Sequence, residues 1–337
     1  MDLRTALGRV VNGEHLSETE MEGVMLDVMR GEATPAQIGA FLVALRMKGE
    51  QVGEITGAAR AMRRHALRVV TTRDVVDTCG TGGDARGTFN ISTTAALVAA
   101  AAGVVIAKHG NRAMSGAVGG ADVLEALGVK IDLDAERVAG CLEEVGIGFL
   151  FAPVFHPAMR HVAGPRREIG LRTIFNLLGP LSNPAGAQAQ LLGVFSEYWV
   201  EPLAHALARL GSHRAMVVHG EDGLDEITLT GTTIVAELRG DTVHTYRLDP
   251  AGFGLARCTP VELQGGDVTA NARLIESILR GTSTAAQRDI SLLNAAAAIY
   301  VGGLATTLDA ALGRARDALQ SGRAAEKLSQ LIEYTNR

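Results

Sequence analysis

The sequence predicts an α/β fold class, with a small all-helical domain joined to a larger α/β domain whose mostly parallel central sheet is flanked by helices. Residues 1–70 carry helix signals only. From residue 74 onward, short β-branched runs alternate with alanine-rich helical stretches, which is typical of βαβ units. The length of 337 residues also exceeds what one compact core usually holds. We therefore predict a helical domain over residues 1–70 and an α/β domain over residues 74–337.

Apolar spacing and capping signals predict four helices in the first domain. Ser17 with Glu20 matches a capping box, and Thr34 precedes a proline at a first helical position. Gly31 is a stop signal between these two helices. The predicted helices cover residues 3–11, 18–29, 35–47 and 52–65.

The second domain combines short strands with helices. Strands are predicted at residues 75–77, 104–107 and 215–218, and a hairpin at residues 232–248. Helices are predicted at residues 93–102, 122–127, 166–178, 271–280 and 289–298. The string GPLSNPAG, a cluster of turn-forming residues, predicts a loop or hinge around residues 180–184, and a second hinge is expected near residues 71–74.

Composition excludes several classes of protein. There are 32 Lys and Arg against 37 Asp and Glu, a net charge of −5, so no basic field favours nucleic acid as a partner. The longest uncharged apolar run, residues 95–107, is shorter than the roughly 20 residues that a membrane span needs. Three scattered cysteines and no apolar leader segment indicate a reduced, cytoplasmic protein without disulfides.

A glycine-rich loop follows the first predicted strand of the second domain. The string VVDTCGTGGD carries Gly80, Gly83 and Asp84, and a helix is predicted to begin near Ser92. Backbone N–H groups of such a loop, together with a helix N-terminus, form a cradle for phosphate. A plain strand-to-helix turn and a dinucleotide site are the alternatives. A dinucleotide site needs an acid about 20 residues downstream, and no Asp or Glu lies between Asp84 and Asp122.

Charged residues follow the next two predicted strands. KHGNR, from Lys108 to Arg112, comes after the second strand, and HGEDGLDEI places Asp225 beside Glu226 after the third. Because the carboxyl ends of parallel strands share one edge, these loops and the glycine loop should converge on one crevice. Two acids that face a phosphate site need a cation, and Mg²⁺ favours a few carboxylates with phosphate oxygens. A solvated basic turn and ordinary surface acids are the alternatives.

Arginines cluster in PRREIGLRTIFNLLGP, where Arg166, Arg167 and Arg172 lie on or near one predicted helix. An arginine fork binds a carboxylate in a bidentate way, so one of the three is a candidate for holding an acidic substrate. Ordinary ion pairs, for example with Glu168, are the alternative. The motifs of serine hydrolases, zinc enzymes and Walker ATPases are missing from the sequence. These absences leave Mg²⁺-assisted transfer of a phosphorylated group.

Five strings between residues 80 and 227 together resemble the anthranilate phosphoribosyltransferase family: GTGGD, NIST, KHGNR, NLLGPLSNPA and HGEDGLDE. The resemblance implies a helical domain joined by hinges to an α/β domain, with a returning segment near residues 166–185 that packs on the first helices. It also implies a homodimer that binds 5-phosphoribosyl 1-pyrophosphate (PRPP), two Mg²⁺ ions and anthranilate. The implied reaction transfers the phosphoribosyl group of PRPP to the anthranilate amine and releases pyrophosphate.

The resemblance also implies which residues form the site. The metal ligands would be Ser92, Asp225 and Glu226. The catalytic residues would be Lys108, Asn111 and Arg166, with Arg166 on the anthranilate carboxylate. The substrate-binding residues would be Gly80, Gly83, Asp84, Thr88, Asn90, Ile91, Ser92, Thr93, Lys108, His109, Gly110, Asn111, Arg112, Ala113, Met114, Ser115, Gly116, Gly120 and Arg166. One loop departs from the family pattern, because Gly116, Val118 and Gly120 stand where many relatives carry hydroxyls.

An aryl amine is already neutral at pH 7, so the implied reaction needs no strong general base. We expect catalysis from holding the amine near ribose C1 and from stabilising charge on the departing pyrophosphate. A pyrimidine nucleoside phosphorylase is one alternative, since its first glycine loop is similar, although that family is longer and lacks the Asp-Glu pair. A non-catalytic relative that binds nucleic acid or a regulator is the other.

Overall fold

The chain begins with four helices in the computed structural model, which describes residues 1–113 and 118–337. They are α1 (Leu3–Val11), α2 (Glu18–Arg30), α3 (Pro35–Lys48) and α4 (Val52–His65). The four predicted ranges are therefore confirmed to within one residue. Ser17 and Glu20 form the predicted capping box, and Thr34 caps α3 ahead of a proline. α1 packs on α3, and α2 packs on α4.

The larger part of the chain is built on a sheet of seven strands: β1 (Val75–Gly80), β2 (Val105–Gly110), β3 (Ile147–Phe151), β4 (Ala189–Gly193), β5 (Arg214–Gly220), β6 (Thr233–Arg239) and β7 (Thr242–Leu248). Their order across the sheet is β3-β2-β1-β4-β5-β6-β7. Strands β1 to β5 run parallel to one another, β6 pairs antiparallel with β5, and β7 pairs antiparallel with β6. The mostly parallel sheet and the hairpin β6–β7 are confirmed, whereas β3 and β4 have no counterpart among the predicted strands.

Strands β1, β2 and β5 extend beyond their predicted ranges, and the extension of β2 relocates three predicted site residues. β2 does not end at residue 107 but continues through Lys108, His109 and Gly110. Lys108 and His109 are buried, so their polar groups need partners that local periodicity cannot reveal. These residues lie in the sheet rather than in a basic loop.

The described residues also contain eleven helices after β1: α5 (Ile91–Ala101), α6 (Gly120–Ala126), α7 (Ala135–Gly140), α8 (Ala152–Phe155), α9 (Arg160–Ile169), α10 (Phe175–Leu178), α11 (Val200–Arg209), α12 (Val268–Leu279), α13 (Ala285–Val301), α14 (Leu308–Gln320) and α15 (Arg323–Thr335). The single helix predicted over residues 166–178 is wrong, because Gly170, with φ of +62°, ends α9. Within residues 1–113 and 118–337, no helix has the length and apolarity that crossing a membrane requires.

Two hydrophobic cores lie on opposite faces of the sheet. Met216 and Val218 of β5 belong to the first core, and the alternating Ala215 and Val217 belong to the second. The first core contains α5 and α13, which pack on each other. The second contains α11 and continues into α2, α3 and α4. Phe175 of α10 lies in this second core, so the segment after α9 packs with the amino-terminal helices.

The segment at residues 180–184 is buried and bonded from two sides. Asn183 Nδ2 donates to the Ala107 carbonyl at 2.8 Å, which ties the segment to β2. Arg63 Nε of α4 donates to the Leu181 carbonyl at 2.7 Å. These bonds fix the segment between the sheet and the helical domain. The hinge predicted at these residues and the one near residues 71–74 both stay predictions.

Candidate active site

The loop after β1 contains four residues in the left-handed region of backbone space. Gly82, Gly83, Ala85 and Gly87 have φ of +67°, +77°, +57° and +68°. Glycine adopts this conformation at little cost, whereas an alanine is strained there. Left-handed residues in such a turn rotate successive N–H groups toward one concavity. We call this loop and the first turn of α5, residues 80–93, the cradle.

Two carboxylates from the loop after β5 reach the cradle. Asp225 Oδ2 accepts a hydrogen bond from the Gly82 N–H at 2.9 Å, and Glu226 Oε1 accepts one from the Ser92 N–H at 3.0 Å. Gly80 permits this approach, because a Cβ there would lie 2.6 Å from Asp225 Oδ2. The structure therefore brings the acidic pair and the glycine loop together.

Burial and mutual repulsion disfavour the ionised forms of these acids. The pKa of Asp225 is raised to about 7, first by burial and then by the charge of Asp84. Burial and the charge of Asp225 raise the pKa of Glu226 well above its usual range. A nearby cation favours the ionised form of a carboxylate. The acidic pair is thus an arrangement that a bound cation would stabilise.

Lys108 supplies a positive charge at the cradle. Its Nζ donates to the Thr78 carbonyl at 2.5 Å and to Ser92 Oγ at 3.2 Å. Burial lowers the pKa of Lys108, and the charges of Asp77 and of Glu226 oppose that shift. An ammonium group has three N–H donors, so the described partners leave one of them for a ligand.

Several buried polar atoms around the cradle have no hydrogen-bond partner within residues 1–113 and 118–337. They are Asp84 Oδ2, Asn90 Oδ1 and Thr93 Oγ1. Gly120 brings the start of α6 to the same place, since a Cβ there would lie 3.4 Å from Thr93 Oγ1. Buried polar atoms are normally hydrogen-bonded. The unpartnered atoms therefore indicate that a polar ligand completes the cradle.

The oxygen atoms at the cradle fit Mg²⁺ that binds together with a phosphorylated ligand. Asp225, Glu226 and the Ser92 hydroxyl supply oxygen donors, which Mg²⁺ prefers. Among the residues that the structure describes, no three His, Cys, Asp or Glu side chains form a complete metal site by themselves. Mg²⁺ is usually held by one or two carboxylates with substrate phosphates and water. The site thus suits a metal that arrives with the substrate.

A second cationic group lies on α9, which packs on α2 and α3 of the helical domain. Arg166 of α9 is half-buried, and its guanidinium lies over the Phe175 ring, 5.3 Å from the centroid. Burial lowers the pKa of Arg166, with no opposing contribution from an acid in the described part of the chain. A planar guanidinium without an ion-pair partner suits the carboxylate of a ligand. Asn111, the other predicted contact for anthranilate, is exposed after β2, where its Oδ1 accepts from the Arg112 N–H at 2.7 Å.

Two predicted binding residues have side chains that are engaged elsewhere. Ile91 is buried in the first core, and its N–H donates to the Phe89 carbonyl at 2.7 Å. Arg112 forms ion pairs with Asp122 at 2.9 Å and with Glu125 at 2.8 Å. Ile91 thus has a packing role, and the charge of Arg112 is compensated within the protein.

His109 belongs to the other face of the sheet. Successive side chains of a strand point to opposite faces, so His109 points away from the side on which Lys108 contacts Ser92. Its Nδ1 lies 3.1 Å from the Gly179 carbonyl, and its Nε2 lies 3.2 Å from His156 Nε2. Burial lowers the pKa of His109 to about 3 and that of His156 to about 4. The His109 side chain is therefore a neutral group outside the cradle.

The other predicted contacts are close to the cradle or outside the described residues. Thr88 forms an isolated β-bridge with Gln264. Gly110 is required because a Cβ there would lie 2.7 Å from the Phe149 ring. The Ala113 N–H donates to an Asp122 carboxylate oxygen at 3.1 Å. The remaining three, Met114, Ser115 and Gly116, lie outside the residues that the structure describes.

Two acids that organise the site are absent from the predicted set. Asp77 accepts from the His109 N–H at 3.0 Å inside the sheet, and burial raises its pKa to about 6. Asp122 accepts from the N–H groups of Ala113 and Gly119 at 3.1 and 2.9 Å, and so links these two residues. The one sequence signal for Asp122 is its place three residues after a helix-capping glycine.

Comparisons with known proteins agree with this architecture. A family profile described as "Glycosyl transferase family, a/b domain" matches residues 72–325, and one described as "Glycosyl transferase family, helical bundle domain" matches residues 4–66. The chain is 55% identical over 333 residues to the anthranilate phosphoribosyltransferase of Moorella thermoacetica, covering 98% of each protein.

Solved structures give the same result. The crystal structure of anthranilate phosphoribosyltransferase from Thermus thermophilus matches with a TM-score of 0.94 and 47% identity, covering 98% of this chain and 99% of that one. The Saccharomyces cerevisiae enzyme in complex with PRPP and Mg matches with a TM-score of 0.90 and 28% identity, covering 99% and 98%. The chain therefore belongs to the anthranilate phosphoribosyltransferase family of glycosyltransferases.

Proposed function

We propose that this protein transfers the phosphoribosyl group of PRPP to the amine of anthranilate and releases pyrophosphate, with Mg²⁺ as cofactor. This reaction is the second step of tryptophan biosynthesis from chorismate. The observation that carries the proposal is the cradle itself, in which left-handed loop residues, unpartnered buried polar atoms and two carboxylates converge on one place. A phosphorylated substrate with a metal satisfies all three features.

The donor PRPP occupies the cradle in this proposal. The loop N–H groups around Gly83 and the Thr93 hydroxyl donate to its phosphates, and the acceptor oxygens of Asp84 and Asn90 accept from its ribose hydroxyls or from water on the metal. Ser92, Asp225 and Glu226 hold the metal, and we propose two ions because the family resemblance implies two. When bound, Mg²⁺ offsets the negative charge that the pyrophosphate and these carboxylates share.

The acceptor anthranilate lies on the side of Arg166. Its carboxylate pairs with the guanidinium, which the Phe175 ring holds in place. Because the aryl amine is neutral, its nitrogen lone pair attacks ribose C1 without a strong base while the C1–O bond to pyrophosphate breaks. The proton of the resulting anilinium then passes to the departing pyrophosphate or to water. Lys108 stabilises the charge on the departing pyrophosphate through its remaining N–H donor.

The direct test is the loss of anthranilate fluorescence when the purified protein is mixed with PRPP. We expect the loss to require Mg²⁺ and to stop when the metal is chelated. A correctly folded protein that leaves the fluorescence unchanged at saturating PRPP and Mg²⁺ would refute the proposed reaction. Two assays then distinguish the alternatives. A pyrimidine nucleoside phosphorylase would cleave a pyrimidine nucleoside in phosphate buffer. A nucleic-acid-binding relative would slow the migration of DNA or RNA in a gel, and salt would weaken this effect.

Replacement of Arg166 tests the acceptor site separately from the donor site. We expect Arg166→Ala to raise the KM for anthranilate by roughly tenfold to a hundredfold, because a charge-assisted hydrogen bond contributes about 1.5–3 kcal/mol. The KM for PRPP should change by less than about threefold. Arg167→Ala, which removes an exposed neighbour on the same helix, is the matched control. Equal effects of Arg166→Ala on both substrates would contradict the carboxylate role.

We also propose that the protein is a cytoplasmic homodimer. Val11 on α1 is 67% exposed and Met47 on α3 is 83% exposed, and α1 and α3 pack side by side. Large apolar side chains exposed on adjacent helices favour an interface. Light scattering should give about twice the chain mass of 35.3 kDa. A monomer at micromolar concentration would contradict the proposal.

A further inference from the structure

Arg172 contacts the cradle from the helical side, although the proposed function gives it no role. It follows Gly170, which ends α9, so it lies in the loop between α9 and α10 rather than in a helix. Its Nη2 donates a hydrogen bond to the Gly83 carbonyl. Its guanidinium lies over the Phe195 ring, 4.3 Å from the centroid. A half-buried arginine is therefore fixed against the turn of the cradle by a ring and by a backbone oxygen.

The residues that hold Arg172 are themselves bonded to the cradle and to the helical domain. The Phe195 N–H donates to Thr81 Oγ1 at 3.0 Å, and the Thr81 N–H donates to the Gly193 carbonyl at 2.9 Å. Phe195 is thus fixed relative to the first residues of the cradle. On the other side, Arg46 of α3 donates to the Arg172 carbonyl at 2.5 Å. Arg172 therefore connects the helical domain with the glycine loop.

The contact with Arg172 determines the orientation of the Gly83–Asp84 peptide group. The peptide bonds of the described residues are trans, and in a trans peptide the C=O and the following N–H point in opposite directions. When Arg172 holds the Gly83 carbonyl, the Asp84 N–H points away from Arg172. Gly82 and Gly83 both have positive φ, and glycine peptides rotate easily because no Cβ opposes the rotation. A rotated peptide would present an oxygen where a phosphate needs a donor.

We propose that Arg172 is a positioning residue, which fixes the Gly83–Asp84 peptide so that the Asp84 N–H faces the phosphates of the donor substrate. The proposal rests on the proposed function only in naming that donor as PRPP. It requires both the fork of the guanidinium and its stacking on Phe195, not the positive charge alone. A lysine keeps the charge but has neither the fork nor the planar stack.

Calorimetric binding of pyrophosphate in the presence of Mg²⁺ tests the proposal without any turnover. We expect Arg172→Gln to weaken pyrophosphate binding about tenfold, the size of one lost charge-assisted hydrogen bond. Arg172→Lys should bind pyrophosphate only slightly better than Arg172→Gln does. Phe195→Leu should bind pyrophosphate about threefold more weakly than the wild type, because the stack on the guanidinium is lost. Arg167→Gln, at an exposed position, should equal the wild type. Thermal unfolding of each variant identifies any that does not fold, and Phe195→Leu remains informative if Arg172→Gln is one of these.

Steady-state kinetics supply the second readout. In Arg172→Gln the KM for PRPP should rise by the same factor as the pyrophosphate dissociation constant, and the KM for anthranilate should stay within about twofold. Unchanged pyrophosphate affinity, full rescue by Arg172→Lys, or an equal rise of both KM values would overturn the proposal. A wild-type protein that binds pyrophosphate but consumes no anthranilate would refute the proposed function alone, and the calorimetric comparison would still decide the role of Arg172.

Discussion

Replacing Asp225 by asparagine should stabilise the metal-free protein while removing its response to Mg²⁺. Burial and the charge of Asp84 raise the pKa of the Asp225 carboxyl group from its ordinary 3.8 to about 7. At about 1.36 kcal/mol for each unit, the ionised form costs the fold at most about 4 kcal/mol. Because Asp225 is only half-buried, solvent screening reduces this cost to about 2 kcal/mol. Asparagine keeps the shape and an acceptor for the Gly82 N–H but carries no charge.

The sign of the pH dependence follows from the direction of the shift. A folded-state pKa above the unfolded one means that the folded protein binds more protons between about pH 4 and pH 7. The penalty for Asp225 is therefore full above pH 7 and disappears as the pH falls toward 4. We expect the unfolding temperature of metal-free Asp225→Asn at pH 8 to be roughly 3 °C higher than that of the wild type. This difference should be almost absent at pH 4.5.

Scanning calorimetry with a chelator, and then with Mg²⁺ and pyrophosphate, measures both effects. The ligands should raise the unfolding temperature of the wild type and leave that of Asp225→Asn nearly unchanged. Asp241→Asn, which replaces an exposed acid at the β6–β7 turn, is the matched control. An asparagine variant that is less stable than the wild type at pH 8, or that gains as much from Mg²⁺ and pyrophosphate, would refute the electrostatic reasoning.

Two further predictions concern Gly80 in the cradle and the buried pair His109 and His156 on the other face of the sheet. Gly80→Ala should raise the Mg²⁺ concentration needed for half-maximal turnover about tenfold. The reason is that the new Cβ would lie 2.6 Å from Asp225 Oδ2 and would displace that carboxylate. Gly313→Ala, where no atom lies within 4 Å, should leave the Mg²⁺ titration unchanged, and identical curves for both variants would contradict the packing argument. The pKa values of His109 and His156 are lowered to about 3 and about 4, so their contribution to stability is full above about pH 6.5 and is lost as the pH falls. His156→Asn should therefore show a smaller loss of stability between pH 6.5 and 4.5 in urea unfolding, and a slope equal to that of the wild type would show that the pair does not titrate as inferred.

The helices of the first domain could be predicted from the sequence because their signals are local. Apolar spacing and the Ser17 and Thr34 caps determine where α2 and α3 begin. β3 and β4 could not be predicted, since short apolar runs do not distinguish a buried strand from a helix segment. The end of α9 carried a usable signal in Gly170, which the apolar spacing around it obscured.

The candidate site also has features that could be predicted from the sequence and features that could not. The convergence of the glycine loop with Asp225 and Glu226 follows from the rule that parallel strands end at one edge of the sheet. Lys108 within β2 does not follow from local pattern, because a buried lysine depends on partners such as the Thr78 carbonyl that are distant in sequence. The same holds for Arg172, whose contact with Phe195 arises only when the chain folds.

The central claim is that one site joins the donor in the cradle to the acceptor beside Arg166. It is tested most directly by measuring pyrophosphate release and anthranilate consumption in the same reaction. We predict one pyrophosphate for each anthranilate consumed, only when PRPP, anthranilate and Mg²⁺ are all present. Pyrophosphate release that continues at the same rate without anthranilate, or anthranilate loss without pyrophosphate, would contradict the claim.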